Sequence, residues 1–598
     1  MKFKLLLFLS IFFNIAAFAS QVEGIVLDQN TKDPIIGASV VLKGSSVGTI
    51  TDIDGKFRIN VSDTKTAILI VSYVGYQKKN VNLDGKIMVT VLLEEDTKTL
   101  EEVVVVGYGT MRKSDLTGSV VSVKTKDEES ARSTSVDKML QGKAAGLTVT
   151  TGSAAPGGAV NVRVRGAGSL RGDNSPLYVV DGNIISMDET LDPMSQGNGG
   201  GNSLMDKQNP LSQISPQDIE SIEVLKDASA TAIYGSQGAN GVILITTKQG
   251  KAVKPKVTLS TTLTSSSLFK RIPVLNAEEY ISYSNAFLTS GLVLRTMDGV
   301  NAVDWQDEVT RNAFSQNHRV SLSGKTGKTA YYFASGYLNN QGVVKKTGIE
   351  QVDLRLNLDQ DITDKLNFKS NTFYSKLSTS MTSGTDKLAN IRSSVVRHMI
   401  SYKPMRGETS ADEYNEDLTG PDAWLTDYDD DSKDNNFNTN LNLSYKASKA
   451  FTLQLKGGYI NRFKERSLWY GTGIFNGAQV NAKAGLSGIK SEAYNAEALL
   501  LFNKKYGKHN LSGTLGTVYN YKTLSSTSIT GENFFNKSLR AKGISQAATL
   551  YPYIYREQTE ELFSALGRGV YSYADKYVLT APFRADGSSK FSAANRFS

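Results

Sequence analysis

The 598-residue sequence contains no cysteine. That excludes disulfides, thiolate zinc sites and a lipid-bearing N-terminal cysteine. Histidine is almost as scarce. His318, His398 and His509 are the only three, and none has a second histidine at ligand spacing, so no metal centre and no cofactor are expected. Past the N-terminus there is no apolar run near the roughly 18 residues a membrane helix needs. A chain of this kind that enters a membrane must do so as a closed β-barrel, because lipid offers backbone groups no hydrogen-bond partner. The formal charge of +8 is scattered, with no basic arm or Arg/Lys-rich run, so a nucleic-acid partner is not expected.

What is present begins with an export signal. Lys2 and Lys4 precede an apolar stretch from Leu5 to Phe18, and Ala17-Phe18-Ala19 is a small-x-small cleavage signal. Residues 1–19 read as a signal peptide, cut after Ala19 or Ser20. Residues 21–94 follow as short strands at Val22–Val26, Ala38–Leu42, Lys56–Ile59, Ile68–Tyr73 and Met88–Leu92, separated by turn residues. That spacing predicts a small β-sandwich. Residues 95–113 are a polar linker around four valines, Val103 to Val106. Those valines are either a buried strand or an extended strand offered to the sheet edge of a partner.

Residues 114–251 read as a mixed α/β domain. A short helix is expected over Val136–Ala144, strands at Val160–Val164, Leu177–Val180, Ile219–Leu225 and Gly241–Thr247, a helical turn at Ala228–Tyr234, and a flexible loop at Gly197–Asn202. From 252 to 598 the pattern becomes a repeated alternation. Val352, Leu354, Leu356 and Leu358 interleave with Asp353, Arg355, Asn357 and Asp359, and Phe437, Leu441, Leu443 and Tyr445 oppose Asn438, Asn440 and Asn442. About eleven such segments are expected, each near the length of a tilted membrane strand. Short polar turns (324–328, 361–364, 447–449, 504–508, 574–576) alternate with long excursions (267–317, 339–349, 377–434, 462–490, 522–557). Sorting of short and long connections to opposite ends marks an outer-membrane barrel. The fold class is therefore mostly β: a β-sandwich, an α/β domain and about eleven strands of a transmembrane antiparallel β-barrel.

Motifs that would carry chemistry fail on context. Gly44-Ser45-Ser46-Val47-Gly48 has the letters of a nucleophile elbow but is followed by another strand, with no histidine before His318. Gly327-Lys328-Thr329 lacks the first glycine of a phosphate loop and sits between strands. Asp52-x-Asp54-Gly55 lacks the rest of a calcium loop and reads as a hairpin turn. No enzyme is expected.

Several stretches carry a family resemblance. Leu100 to Thr110, with Glu102, Val103, Val104, Val105, Val106 and Gly107 at its centre, resembles the TonB box of the SusC/RagA family of TonB-dependent outer-membrane transporters. The runs Leu140–Gly146, Val162–Gly166 (with Arg163, Arg165 and Gly166), Pro176–Gly182 (with Asp181 and Gly182), Asp218–Gly235 (with Asp227, Tyr234 and Gly235) and Gly241–Lys248 are similar to its plug domain. Residues 21–94 resemble its carboxypeptidase-regulatory-like domain, which is not a peptidase. The resemblance implies an outer-membrane importer with the N-terminal domain in the periplasm. TonB would pull on Val103–Val106, and a SusD-like surface lipoprotein would help capture a glycan or peptide. The alternatives are a non-transporting surface receptor or adhesin, and an inactive fragment. The family's barrels have about twenty-two strands, so a chain truncated within the barrel is also expected. Trp305, Trp424 and Trp469 fall on or beside the long connections, where they would stack on sugars or simply pack the loops.

Overall fold

The computed structural model describes residues 20–597 except 30, 46, 74–75, 95–102, 107–108, 113–119, 125–132, 134, 152–153, 159, 167, 169–173, 186–209, 251–253, 287–295, 299–300, 383–393, 407–419 and 575. Residues 1–19, including the expected cleavage site at Ala19, and the loop expected at 197–202 lie outside the described residues. Contacts divide the chain into two compact units, 1–103 with 112–114, and 104–111 with 115–598.

The first unit is the expected sandwich. Its strands are β1 (Ser20–Asp28), β2 (Ser39–Leu42), β3 (Gly48–Ile50), β4 (Lys56–Val61), β5 (Ile68–Ser72), β6 (Lys79–Asn82) and β7 (Met88–Leu93). They form two sheets, ordered β4-β1-β7 and β3-β2-β5-β6. In β4, Lys56, Arg58 and Asn60 are exposed while Phe57, Ile59 and Val61 are buried, as the two-residue period of a half-buried strand requires. Val22, Val26, Val40, Phe57, Leu69 and Val91 share the core between the sheets. The Asp52 carboxylate accepts the backbone N–H groups of Asp54 and Lys56 at 3.0 and 2.8 Å, which makes the aspartates part of a turn. Val103–Val106 forms β8 and pairs with β9 (Gly109–Arg112) in a two-stranded ribbon.

The second unit opens with a mixed sheet, order β10-β15-β16-β13-β14. Its strands are β10 (Val120–Lys124), β13 (Leu177–Val180), β14 (Asn183–Ile185), β15 (Ile219–Leu225) and β16 (Val242–Thr247), and a hairpin of β11 (Leu147–Thr151) and β12 (Val160–Val164) lies beside it. Val242-Ile243-Leu244-Ile245 is buried throughout. Such a run belongs to a strand covered on both faces. Ile243 and Ile245 join the domain's own core, while Val242 and Leu244 join a cluster with Leu499, Val518 and Leu566. The helix expected over 136–144 is only one turn, Val136–Met139, because Gly142 and Gly146 take positive φ and end it early.

The rest is one antiparallel wall. Its strands are β17 (Lys256–Ser266), β19 (Ala313–Thr326), β20 (Thr329–Gln341), β21 (Gly348–Asp361), β22 (Leu366–Met381), β24 (Tyr428–Lys446), β25 (Phe451–Tyr470), β26 (Lys483–Tyr506), β27 (His509–Phe534), β29 (Ile554–Tyr573) and β30 (Tyr577–Ser588). They run in that order, with β28 (Ala547–Leu550) paired to β27 and a separate short pair of β18 (Asn301–Ala302) with β23 (Met405–Arg406). The eleven strands match the expected number, but many are longer than expected. Residues 462–470, 483–490 and 522–534 are strand rather than loop, and the 339–349 excursion is only a short turn after Gln341. These extensions carry polar residues on both faces, so no hydropathy alternation reveals them. Among the described residues β17 and β30 each have one neighbour, and the sheet is open. Pro582 lies in β30, an edge strand, where a missing N–H is tolerated.

Candidate functional site

The α/β domain is held against the inner face of the wall by a buried charge cluster. Asp218, fully buried at the start of β15, accepts the Arg319 guanidinium on β19, Arg355 Nε on β21 at 2.9 Å and the Tyr332 hydroxyl on β20 at 2.8 Å. Asp353 closes the cluster from β21, 2.9 Å from Arg319. Asp181 accepts the backbone N–H and hydroxyl of Thr247 at 2.9 and 2.7 Å, and Arg355 Nη1 lies 3.4 Å away. Burial pushes the Asp218 carboxyl upward, but the Arg319 and Arg355 charges outweigh it and hold it below the usual carboxylate range. For Asp181 burial wins over Arg355, and its carboxyl lies above that range. The sequence reading missed Asp218 as a site residue, and Arg319 and Arg355 with it. The available signal was the placement of charges in β21 opposite the face that carries Val352, Leu354 and Leu356.

The expected plug residues fall into two places. Arg165, at the end of β12, pairs with Asp227, which lies between β15 and the turn after it. Gly166 sits beside this pair with φ +88°, and Arg163 is exposed. Asp181 and Gly182 form the β13–β14 turn, both at positive φ. There Asn183 exchanges side-chain hydrogen bonds with Asn438 and Asn440 of β24. Tyr234 is buried, and Gly235 turns at φ +61° beneath β30, where Arg584 donates to the Ile233 carbonyl. Toward β25–β30 the same domain floors a cavity of about 520 Å³, with Ile184 and Gln237 below and Asn495, Asn520, Lys522 and Glu560 on the wall.

The outer face of the wall is built for lipid. Phe437, Tyr459, Tyr494 and Tyr521 form one row across β24–β27, with ring centroids 6.3, 4.9 and 6.2 Å apart. Phe451 and Phe502 (5.0 Å) begin a second row near the short turns, continued by His509 and Tyr573 (5.0 Å). Between the rows Leu441, Leu443, Leu453, Leu455 and Leu500 are exposed. An exposed apolar band between two aromatic girdles marks a transmembrane barrel. Among the described residues no helix is long and apolar enough to cross a membrane, and the strands do that work.

Two family models match parts of the chain. One described as a CarboxypepD_reg-like domain matches residues 22–105, and one described as the TonB-dependent Receptor Plug Domain matches 112–242. The TonB-dependent receptor P3 of Formosa agariphila is 31% identical over 589 residues, covering 96% of this chain and 55% of that protein. The TonB-dependent receptor SusC of Bacteroides thetaiotaomicron is 40% identical over 374 residues, 62% of this chain and 35% of SusC. The chain belongs to the TonB-dependent receptors.

Like other TonB-dependent receptors it is an outer-membrane β-barrel protein, and it spans about half the length of the curated relatives it matches or less. Its fold is that of the RagAB peptide importer in the open-open state, with a TM-score of 0.69, 22% identity, and coverage of 83% of this chain and 57% of that one. In this receptor fold the three tryptophans are packing residues. Trp305, Trp424 and Trp469 are 4%, 0% and 1% exposed. Trp424 donates its indole N–H to His398 at 2.8 Å within a cluster of Tyr428, Tyr470 and Met399. None offers an open ring to a sugar.

Proposed function

We propose that the whole protein imports a nutrient across the outer membrane, with energy delivered by TonB through the segment Glu102 to Gly107. The observation that carries this reading is the plug held within the wall by the buried Asp218 cluster. Such a plug blocks the lumen at rest and must be pulled to open it. The four-valine strand on its N-terminal side supports the reading. Several backbone hydrogen bonds in one added strand resist together when loaded in shear. RagAB is a peptide importer, and the family resemblance adds a glycan as the alternative cargo and a SusD-like lipoprotein as the surface partner. The relatives are named receptors and a transporter, and import needs no catalytic residue.

The test is deletion of Glu102–Gly107 in the full-length protein, with surface abundance and nutrient uptake measured together. Uptake should fall to background while surface abundance stays at wild-type level. Unchanged uptake would sink energised import and favour a passive receptor or adhesin.

A further inference from the structure

We infer that the outer face of the wall carries a binding site for the phosphorylated sugar headgroup of an outer-leaflet glycolipid. The site is a cleft of about 840 Å³ on the lipid side of β22–β27. Its facing is set by register. Lys433, Phe463, Lys490 and Ser525 have the same parity on their strands as the exposed Phe437, Tyr459, Tyr494 and Tyr521, so they share the membrane-facing surface.

Its height follows from the same count. Each of these four residues lies four positions past the aromatic row, on the side of the long connections. Four residues are about 13 Å of strand, or about 10 Å of height at barrel tilt. The aromatic row marks the edge of the hydrocarbon. The cleft therefore opens at headgroup depth, directly above the exposed Leu441 and Leu455 on which acyl chains would lie.

The segment between β27 and β28 turns the surface into a cleft. Ala541 and Ile544 pack on Trp469, Ala484 and Phe534, and Arg540 ties this overhang to Asp429 and to the Thr426 carbonyl. Lys542 and Tyr553 then form the cleft's far side, with Tyr553 62% exposed.

The lining fits a phosphorylated sugar. The ammonium groups of Lys433, Lys542 and Lys490, the last also paired with Glu492 at 3.0 Å, are point charges for phosphate. The tyrosine ring offers a face to a sugar. The acidic side chains accept from sugar hydroxyls: Glu465 stands opposite Lys433 in register, and Asp431 already accepts the Ser380 hydroxyl at 2.6 Å. Mixed charges of this kind suit a headgroup that carries both phosphates and hydroxyls better than a bare anion.

The experiment uses the full-length protein purified from the outer membrane in mild detergent, with retained glycolipid counted per protein by native mass spectrometry. The wild type should retain glycolipid, and K433A/K490A/K542A should retain at least five-fold less. Tyr553→Ala, which changes no charge, should also lower retention. Lys325→Ala, at the opposite end of the wall, should not. Wild type re-lipidated with enzymatically dephosphorylated glycolipid should behave like the triple variant, and 10 mM inorganic phosphate should displace nothing. Equal retention by the triple variant overturns the proposal, as does displacement by inorganic phosphate or recovery of a bound protein in place of lipid. Uptake is not a readout, so failure of the import reading would leave this result standing.

Discussion

At the residue scale, Asp218 decides how the plug is held. Its carboxylate lies between two guanidiniums in a site closed to water. Removing one member of a buried charge group leaves the others uncompensated, at about 3–5 kcal/mol. Because its carboxyl is held low by Arg319 and Arg355, Asp218 contributes stability that is fully present above the unfolded value of about 3.9 and is lost as pH falls through the folded value. Asp181, raised by burial, works the other way. Its folded form binds protons more tightly, so its contribution is present at low pH and lost as pH rises above about 4. In Asp181→Asn combined with Asp353→Asn, which leaves Asp218 as the cluster's remaining carboxylate, plug stability should therefore rise with pH from 2 to 6. In Asp218→Asn that rise should disappear and the whole curve should sit lower. Denaturant midpoints across that pH range check both outcomes, and a rise that persists in Asp218→Asn would show that another group carries it.

At the element scale, each wall strand keeps two environments apart. On β25 Leu455 faces lipid, while the adjacent Lys456 faces inward and pairs with Glu497 at 3.1 Å. Leu455→Arg should cost about 2–4 kcal/mol in a lipid bilayer, whereas Lys456→Arg should be nearly neutral. Folding titrations into liposomes distinguish them, and equal effects would mean the facing is wrong. The alternation that shows this facing was legible in the sequence from Phe451 to Tyr459. It faded beyond Asn461, where both faces mix charged and apolar residues, and there the sequence reading placed a loop over nine further residues of strand. The plug strands were readable for a different reason. A run such as Val242–Ile245 is apolar at every position because both of its faces are covered. The short β14 was not readable, since three residues carry too little pattern.

At the scale of the whole molecule, the wall's interior strands are paired on both sides, while β17 and β30 have one neighbour each among the described residues. Bare strand edges are not tolerated in hydrocarbon, so the wall needs partners on both sides before lipid can surround it. Hydrogen exchange on the 598-residue chain in detergent should show unprotected alternate amides along Tyr577–Ser588 and Lys256–Ser266, with strong protection in Lys483–Tyr506. Strong protection of both edges would mean that they pair with one another or with a second copy.

What the sequence determined by itself is local. The pleat makes side chains alternate, turns need glycine and aspartate, and lipid admits only apolar residues on one face. Composition and periodicity therefore carried the sandwich, the eleven wall strands and the sorting of turns to one end. Tertiary structure decided which distant groups meet. Asp218 reaches Arg319 and Arg355 across 101 and 137 residues of chain, and the tryptophans are buried in clusters drawn from separate segments of chain. Such meetings depend on the register of every intervening strand, and nothing within a local stretch of sequence records it.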